Sequence, residues 1–267
     1  MKSRILVSVV GIPVLVGIVL WAPAFVIALA LVALSGIAAY EMMKCVGRQE
    51  SGGLSGMTIV AAMLSVLWHY SSPEYIAYIW VIYIVAAFIY AIVKAGEVKF
   101  AQIMAGICGA LIIPWSFSAF LRIEATGIHR AYLLLPFILS FACDTFAYFA
   151  GLAFGKHKLA PKISPKKTIE GSIGGICGNV VCGCLFAFVM DRFFAAGIGY
   201  GPMVILALCC AVVAQVGDLS FSLIKREFGV KDYGKLFLEH GGVLDRFDSV
   251  LFVTPVIEIV LQLVQLQ

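Results

Sequence analysis

Apolar residues in this chain come in long runs separated by short polar segments. Each run is close to the roughly 20 residues that a helix needs to cross a bilayer. The first run resembles a signal peptide, but a second follows almost at once, so we interpret the two as a helical hairpin. The pattern predicts nine transmembrane helices, at residues 5–20, 24–40, 57–70, 75–93, 101–121, 131–153, 171–190, 202–224 and 248–265.

Composition narrows the class of protein. Hydrophobic residues make up 62% of the 267 residues and charged residues only 13%, where a soluble domain averages about 25% charged residues. A soluble core of this size could not enclose so much apolar surface. The composition therefore excludes a soluble enzyme, a disordered protein and a secreted disulfide scaffold. We predict an all-α, polytopic integral membrane protein.

The basic residues predict the orientation. With nine helices and a cytoplasmic N-terminus, three of the 19 lysines and arginines fall outside, namely Arg122, Arg130 and Arg192, and the other 16 fall inside. Such an excess on one side is the positive-inside pattern. We therefore expect the N-terminus to lie in the cytoplasm.

Charge also divides the chain along its length. Spans before about residue 140 carry almost no charge, whereas later spans contain embedded acids and glycines. We therefore interpret residues 1–130 as a transmembrane scaffold and 131–267 as the catalytic region, with cytoplasmic loops at 154–170 and 225–247. Lysines crowd the first of these loops, which suggests anionic partners such as phosphates or lipid headgroups.

An acid within a membrane helix is costly and usually functional. Asp144 fits this description, and we expect it to face a wet cavity; a single hydrogen bond between helices is the alternative. Residues 164–168 predict a turn with hydroxyls beside lysines. Thr168 then precedes a helix whose glycines have the spacing of tight helix packing. These are Gly171, Gly174, Gly175 and Gly178.

The densest charge cluster lies near the C-terminus. Asp218, Ser222 and Lys225 share one helical face, and Asp245 and Asp248 stand at i and i+3 at the start of the last span. Carboxylates together with phosphates commonly hold Mg²⁺, and neighbouring bases neutralise phosphates during transfer. The cluster predicts nucleotidyl or phosphoryl transfer at a membrane face; salt-bridged loop packing is the alternative.

Two stretches of this sequence resemble the phosphatidate cytidylyltransferases, also called CDP-diglyceride synthases. The first runs from Gly155 to Gly171 and includes the sequence from Ile163 to Thr168. The second is a spaced set of polar residues and glycines. Its members are Ser222, Lys225, Arg226, Lys231, Asp232, Gly234, His240, Gly241, Gly242, Asp245, Arg246 and Asp248. Leu238 and Glu239 depart from the family pattern, which often has Pro-Gly at these positions.

The resemblance implies an enzyme that condenses CTP with phosphatidate to give CDP-diacylglycerol and pyrophosphate, and that requires Mg²⁺. It implies that Asp218 and Asp245 bind the metal, with Asp248 and Asp144 as further ligands or ligands of a second cation. Lys225 would act beside the carboxylates at the reacting centre. The expected substrate-binding residues are Ser222, Arg226, Lys231, Asp232, His240, Arg246, Lys166 and Lys167.

The same resemblance predicts the partners and the location. We expect CTP, phosphatidate and the bilayer as partners, no nucleic acid, and an active site on the cytoplasmic face of the inner (cell) membrane. A homodimer is left open.

Two other functions remain open at this point. A CTP-dependent lipid kinase similar to the dolichol kinases would use comparable residues but attack the γ-phosphorus. An ion-coupled transporter would instead use the acids within spans, Asp144 and Glu258.

Overall fold

A computed structural model describes residues 2–47, 52–236 and 241–265 of the chain. These residues form two compact units. The described residues of the first unit lie within 1–121 and 227–247, and those of the second lie within 122–226 and 248–267.

Helices account for almost all of the regular structure. In lipid every backbone N–H and C=O must be paired within the segment, so an apolar run has to be helical. The helices are α1 (Lys2–Trp21), α2 (Ala24–Gly47), α3 (Gly52–Ser71), α4 (Ile76–Val93), α5 (Phe100–Ile107), α6 (Ile113–Ala125), α7 (Leu135–Phe154), α8 (Ile169–Phe194), α9 (Tyr200–Glu227) and α10 (Leu244–Gln265).

Eight of the nine predicted spans are confirmed, from the one at 24–40 onward. Within the described residues, eight helical segments are long and apolar enough to cross a membrane, and α1 covers the first predicted run. One segment joins α5 to α6 through a π-helical turn, Cys108–Ile112. The all-α polytopic membrane fold is therefore confirmed. Several helices extend beyond the predicted limits, because a helix continues past the apolar thickness as long as its backbone stays paired. In α9 this places Lys225 and Arg226 in the last helical turn.

The loop predicted at 154–170 contains a small antiparallel hairpin. Strand β1 (Lys158–Ala160) pairs with β2 (Ser164–Thr168), with Lys158 opposite Thr168. The turn predicted at 164–168 is therefore wrong: those residues form β2, and the chain reverses between the strands, where the Ile163 amide donates to the Ala160 carbonyl at 3.1 Å. Two side chains then secure the start of α8. Thr168 caps it by accepting a hydrogen bond from the Gly171 amide at 3.1 Å. The Glu170 carboxylate accepts bonds from the Lys156 and His157 amides.

Glycines let α7 and α8 pack with their backbones close together, as the sequence predicted. A Cβ added to Gly171 would lie 2.7 Å from the Ala147 carbonyl oxygen, and one added to Gly175 would lie 2.9 Å from that of Cys143. Gly174 and Gly178 would likewise overlap Ala150 and Phe146. This packing fixes the position of Asp144, which lies between these contacts on α7.

The second unit also contains a buried ion pair. Arg122 Nε donates to Glu258 Oε1 at 2.5 Å, and their side chains are only 16% and 7% exposed. Gln262 donates to the same carboxylate oxygen at 3.2 Å. The Glu258 carboxylate thus binds protein side chains, which disfavours the alternative function of an ion-coupled transporter.

Candidate active site

Asp218 is an acid of the second unit, and both of its carboxylate oxygens have side-chain partners. It lies on α9 nine residues before the helix ends at Glu227, which at 1.5 Å per residue places it about 14 Å below that end. Its Oδ2 forms an ion pair with Lys167 Nζ, and the two side chains are 22% and 26% exposed. Its Oδ1 accepts a hydrogen bond from Ser222 Oγ at 3.2 Å. The shared helical face predicted for Asp218 and Ser222 is therefore confirmed.

Gly217 explains how α10 comes close to Asp218. A Cβ at Gly217 would lie 2.8 Å from the Asp248 carbonyl oxygen and 3.0 Å from the ring of Phe252. Any larger residue would push the two helices apart at this level. The Gly217-Asp218 pair therefore places a carboxylate one residue from this close contact between α9 and α10.

Three acids of the second unit form what we call the acid cluster, defined as Asp144, Asp218 and Asp248. Asp248 interacts electrostatically with both of the other acids and with Lys225. Asp144 is exposed on α7 and Lys225 is half-buried on α9. Two lysines from different elements therefore face the acid cluster, Lys167 from the hairpin and Lys225 from α9. The arrangement can bind a cation and phosphate groups side by side.

Lys166 and Lys167, which the sequence grouped together, have different environments. Successive residues of a strand point to opposite faces. Lys167 pairs with Asp218, whereas Lys166 is exposed. The structure therefore brings one of these two lysines to the acid cluster.

Arg226 is exposed at the end of α9 and donates from Nε to the Ile163 carbonyl at 3.2 Å. The guanidinium therefore holds the turn of the hairpin that carries Lys167. Its predicted contact with CTP stays a prediction, since its observed partner is protein backbone.

The other predicted residues that the structure describes belong to the first unit. Lys231, Asp232 and Arg246 are exposed, and Asp245 is half-buried. Asp245 Oδ2 accepts hydrogen bonds from the Tyr233 amide at 2.8 Å and the Gly242 amide at 2.9 Å. His240 lies outside the described residues, as do Leu238 and Glu239.

Sequence reasoning missed Glu41, an acid near the end of α2. It is only 3% exposed, and its carboxylate accepts hydrogen bonds from the Val243 and Leu244 amides. The available signal was an acid at the end of an apolar run. We call Glu41 and Asp245 the amide-bound acids.

Comparison with known proteins identifies the family. A profile of the cytidylyltransferase family matches residues 2–264. A protein of Staphylococcus haemolyticus named phosphatidate cytidylyltransferase is 31% identical over 269 residues, which cover 98% of this chain and 99% of that protein. One of the same name from Staphylococcus epidermidis is 32% identical over 271 residues, with the same coverage. Another, from Staphylococcus aureus, is 37% identical over 172 residues, 64% of each chain.

This chain belongs to the cytidylyltransferase family. It is a polytopic membrane enzyme and a nucleotidyltransferase, as the sequence predicted.

Proposed function

We propose that this enzyme condenses CTP with phosphatidate, giving CDP-diacylglycerol and pyrophosphate for phospholipid synthesis in the cell membrane. The near full-length likeness to proteins named for this reaction supports the substrates. The observation that carries the site is the ion pair between Lys167 and Asp218, because it joins the polar hairpin to an acid within an apolar helix that is long enough to cross a membrane. A lipid headgroup and a nucleotide both need such a charged site at the level of the membrane.

The residues of the second unit fit this chemistry. A phosphate oxygen of phosphatidate attacks the α-phosphorus of CTP, and the bond from that phosphorus to the bridging oxygen breaks to release pyrophosphate. The attacking oxygen is already anionic, so no general base is required. Lys167 and Lys225 neutralise phosphate charge, and the fixed helices orient the reacting groups.

Mg²⁺ is the cation we propose for the acid cluster. Across residues 2–47, 52–236 and 241–265, no three His, Cys, Asp or Glu side chains form a ready ligand set. Mg²⁺ is typically held by one or two carboxylates together with substrate phosphates and water. Asp218 and Asp248 supply the carboxylates, with Asp144 as a further acid near them, and the like charges on these acids favour a bound cation. When bound, the metal would stabilise charge on the phosphates.

The position of the label in CTP tests the reaction. The enzyme, purified in detergent, is given phosphatidate with CTP labelled at either the α- or the γ-phosphate. We expect α-label in the lipid and γ-label in pyrophosphate, and no turnover after EDTA treatment until Mg²⁺ is restored. Transfer of γ-label to lipid would instead establish the lipid kinase alternative.

Binding of Mn²⁺ tests the metal site without turnover. Electron paramagnetic resonance measures free Mn²⁺ in the presence of CTP, with wild-type enzyme and with Asp218→Asn. We expect the variant to bind the ion more weakly. Equal binding by both proteins would remove Asp218 from the metal site.

We propose that the hairpin and the segment after α9 face the cytoplasm. The excess of basic residues on that side of the nine spans supports this orientation. The substitutions Lys158→Cys and Lys235→Cys, in a background without the native cysteines, allow labelling by membrane-impermeant reagents. We expect modification only in inside-out vesicles. Modification of both positions only from the outer face would reverse the proposal.

A further inference from the structure

Glu41 is a buried carboxylate that has no part in the chemistry proposed above. Its Oε1 accepts a hydrogen bond from the Val243 amide at 3.1 Å, and its Oε2 accepts one from the Leu244 amide at 2.9 Å. Helix α10 begins at Leu244. The first amides of a helix have no partner within the helix, and the positive end of the helix dipole favours a negative charge. Glu41 therefore caps α10 from a helix about 200 residues away in sequence.

The chain around Glu41 leaves no room for side chains. A Cβ on Gly234 or on Gly242 would overlap the Glu41 carboxylate. Gly241 adopts a φ of +84°, which favours glycine, and a Cβ there would lie 2.7 Å from Asp245 Oδ2. These three glycines let the backbone fold directly onto the two amide-bound acids.

The two acids divide consecutive amides between them. Asp245 Oδ2 takes the Gly242 amide, and Glu41 takes those of Val243 and Leu244. Asp245 also takes the Tyr233 amide, so it ties the segment after α9 to the start of α10. Val243 and Leu244 are the two residues between Gly242 and Asp245, so the Glu41 carboxylate holds the backbone that leads into Asp245.

We infer that Glu41 is a positioning residue: its carboxylate fixes the start of α10 and so orients Asp245, the acid that the resemblance assigns to Mg²⁺. The inference rests on the proposed function and on that assignment of Asp245. Glutamine is the informative substitution, because its shape is nearly that of glutamate but it has one acceptor oxygen and an NH₂ group that would face a backbone N–H.

A matched control exists in the second unit. Glu258 is also a buried carboxylate within a span, but its partner is the Arg122 side chain. Glu258→Gln should lower thermal stability without changing ligand binding or the turnover of the folded enzyme. It reports the general effect of removing a buried charge.

The experiment measures how far Mg²⁺ and CTP together raise the melting temperature in detergent, followed by tryptophan fluorescence. Ligands that bind only the folded state raise it according to their affinity. We expect Glu41→Gln to weaken the apparent affinity about ten- to a hundredfold, the range for loss of a hydrogen bond to a charged group. Turnover should fall about 10²-fold, as when a reacting group is misplaced by about 1 Å. Gly234→Ala, which keeps the charge but displaces the carboxylate, should act in the same direction and serves if Glu41→Gln does not fold.

Asp245→Asn separates the two proposals. If Asp245→Asn abolishes turnover and ligand stabilisation while Glu41→Gln and Gly234→Ala behave like Glu258→Gln, the positioning role of Glu41 is wrong and the site stands. If Asp245→Asn leaves both measurements unchanged, the ligand role of Asp245 is wrong, and Glu41 has no such residue to orient. Loss of ligand stabilisation in Glu41→Gln, Gly234→Ala and Asp245→Asn, with Glu258→Gln unaffected, supports the inference.

Discussion

The acid cluster and the amide-bound acids use carboxylates in opposite ways. In the acid cluster, Asp218 is held by the side chains of Lys167 and Ser222. The amide-bound acids Glu41 and Asp245 are held by backbone N–H groups. A side chain can change rotamer within nanoseconds where it is exposed, whereas a backbone amide moves only if its loop or helix end moves with it.

Because their partners differ, the two sets of acids have different roles. A carboxylate whose partner is a half-exposed lysine can exchange that partner for a metal ion or a phosphate. The Glu41 carboxylate, bonded to amides, maintains the shape of the chain around it, including the position of Asp245. Variants of the acid cluster should therefore lower turnover without altering the fold. Variants that displace the backbone should lower the stability of the fold.

The largest effect is expected for Asp218→Asn. An uncharged amide can neither form an ion pair with Lys167 nor replace a charged metal ligand, so turnover should fall by about 10³-fold, at the upper end for loss of one electrostatic contact. Initial rates per folded enzyme measure this. The matched control is Asp191→Asn, the same substitution at an exposed position of α8, which should retain activity. An active, folded Asp218→Asn enzyme would remove the distinction between the two sets of acids.

Lys225→Ala should come next. Because Lys225 faces Asp248, we expect it to act on charge that develops during the reaction, and to lower kcat about 10²-fold with a smaller rise in KM for CTP. Arg226→Lys should mainly raise KM, because lysine cannot reproduce the guanidinium contact to Ile163 that holds the hairpin. Wild-type kinetics for both variants would make the two residues simple positive-inside anchors.

Lys167→Ala tests whether Asp218 can exchange its lysine partner for a metal ion or a phosphate. We expect about a tenfold loss of turnover, since one phosphate contact disappears while the metal site remains. Lys158→Ala, on the paired strand of the same hairpin and exposed, should have no effect. Equal losses for the two variants would mean that the hairpin contributes only its overall charge.

Gly175→Ala should give the smallest change in catalysis and a clear change in stability. The added Cβ meets the Cys143 carbonyl at 2.9 Å, and overpacking of this kind costs about 1–3 kcal/mol. Gly56→Ala is the control, because nothing lies within 4 Å of a Cβ at that helical position. Melting temperatures in detergent should fall for the first variant only. A clear fall in kcat per folded enzyme, with little change in melting temperature, would show that α7 positions Asp144 more strictly than the packing alone indicates.

The helices were predictable because their cause is local. A run of apolar residues in lipid must pair its own backbone, so hydropathy locates a span without knowledge of its neighbours. The glycines of α8 were predictable for the same reason, because their spacing places them on related faces of one helix. The assignment of catalytic work to 131–267 stays a prediction, and the segment 227–247 lies in the first compact unit.

The sequence alone therefore determined the membrane class, the spans and the family, and it identified most of the charged residues of the candidate site. Each of these depends on composition or on spacing within one segment. Only the tertiary structure decided which partners those charges take. Lys166 and Lys167 are neighbours in sequence, but the pleat of a short strand brings one of them to Asp218. Glu41 takes amides about 200 residues away. No local pattern encodes such a pairing, because it exists only once distant backbone segments have packed together.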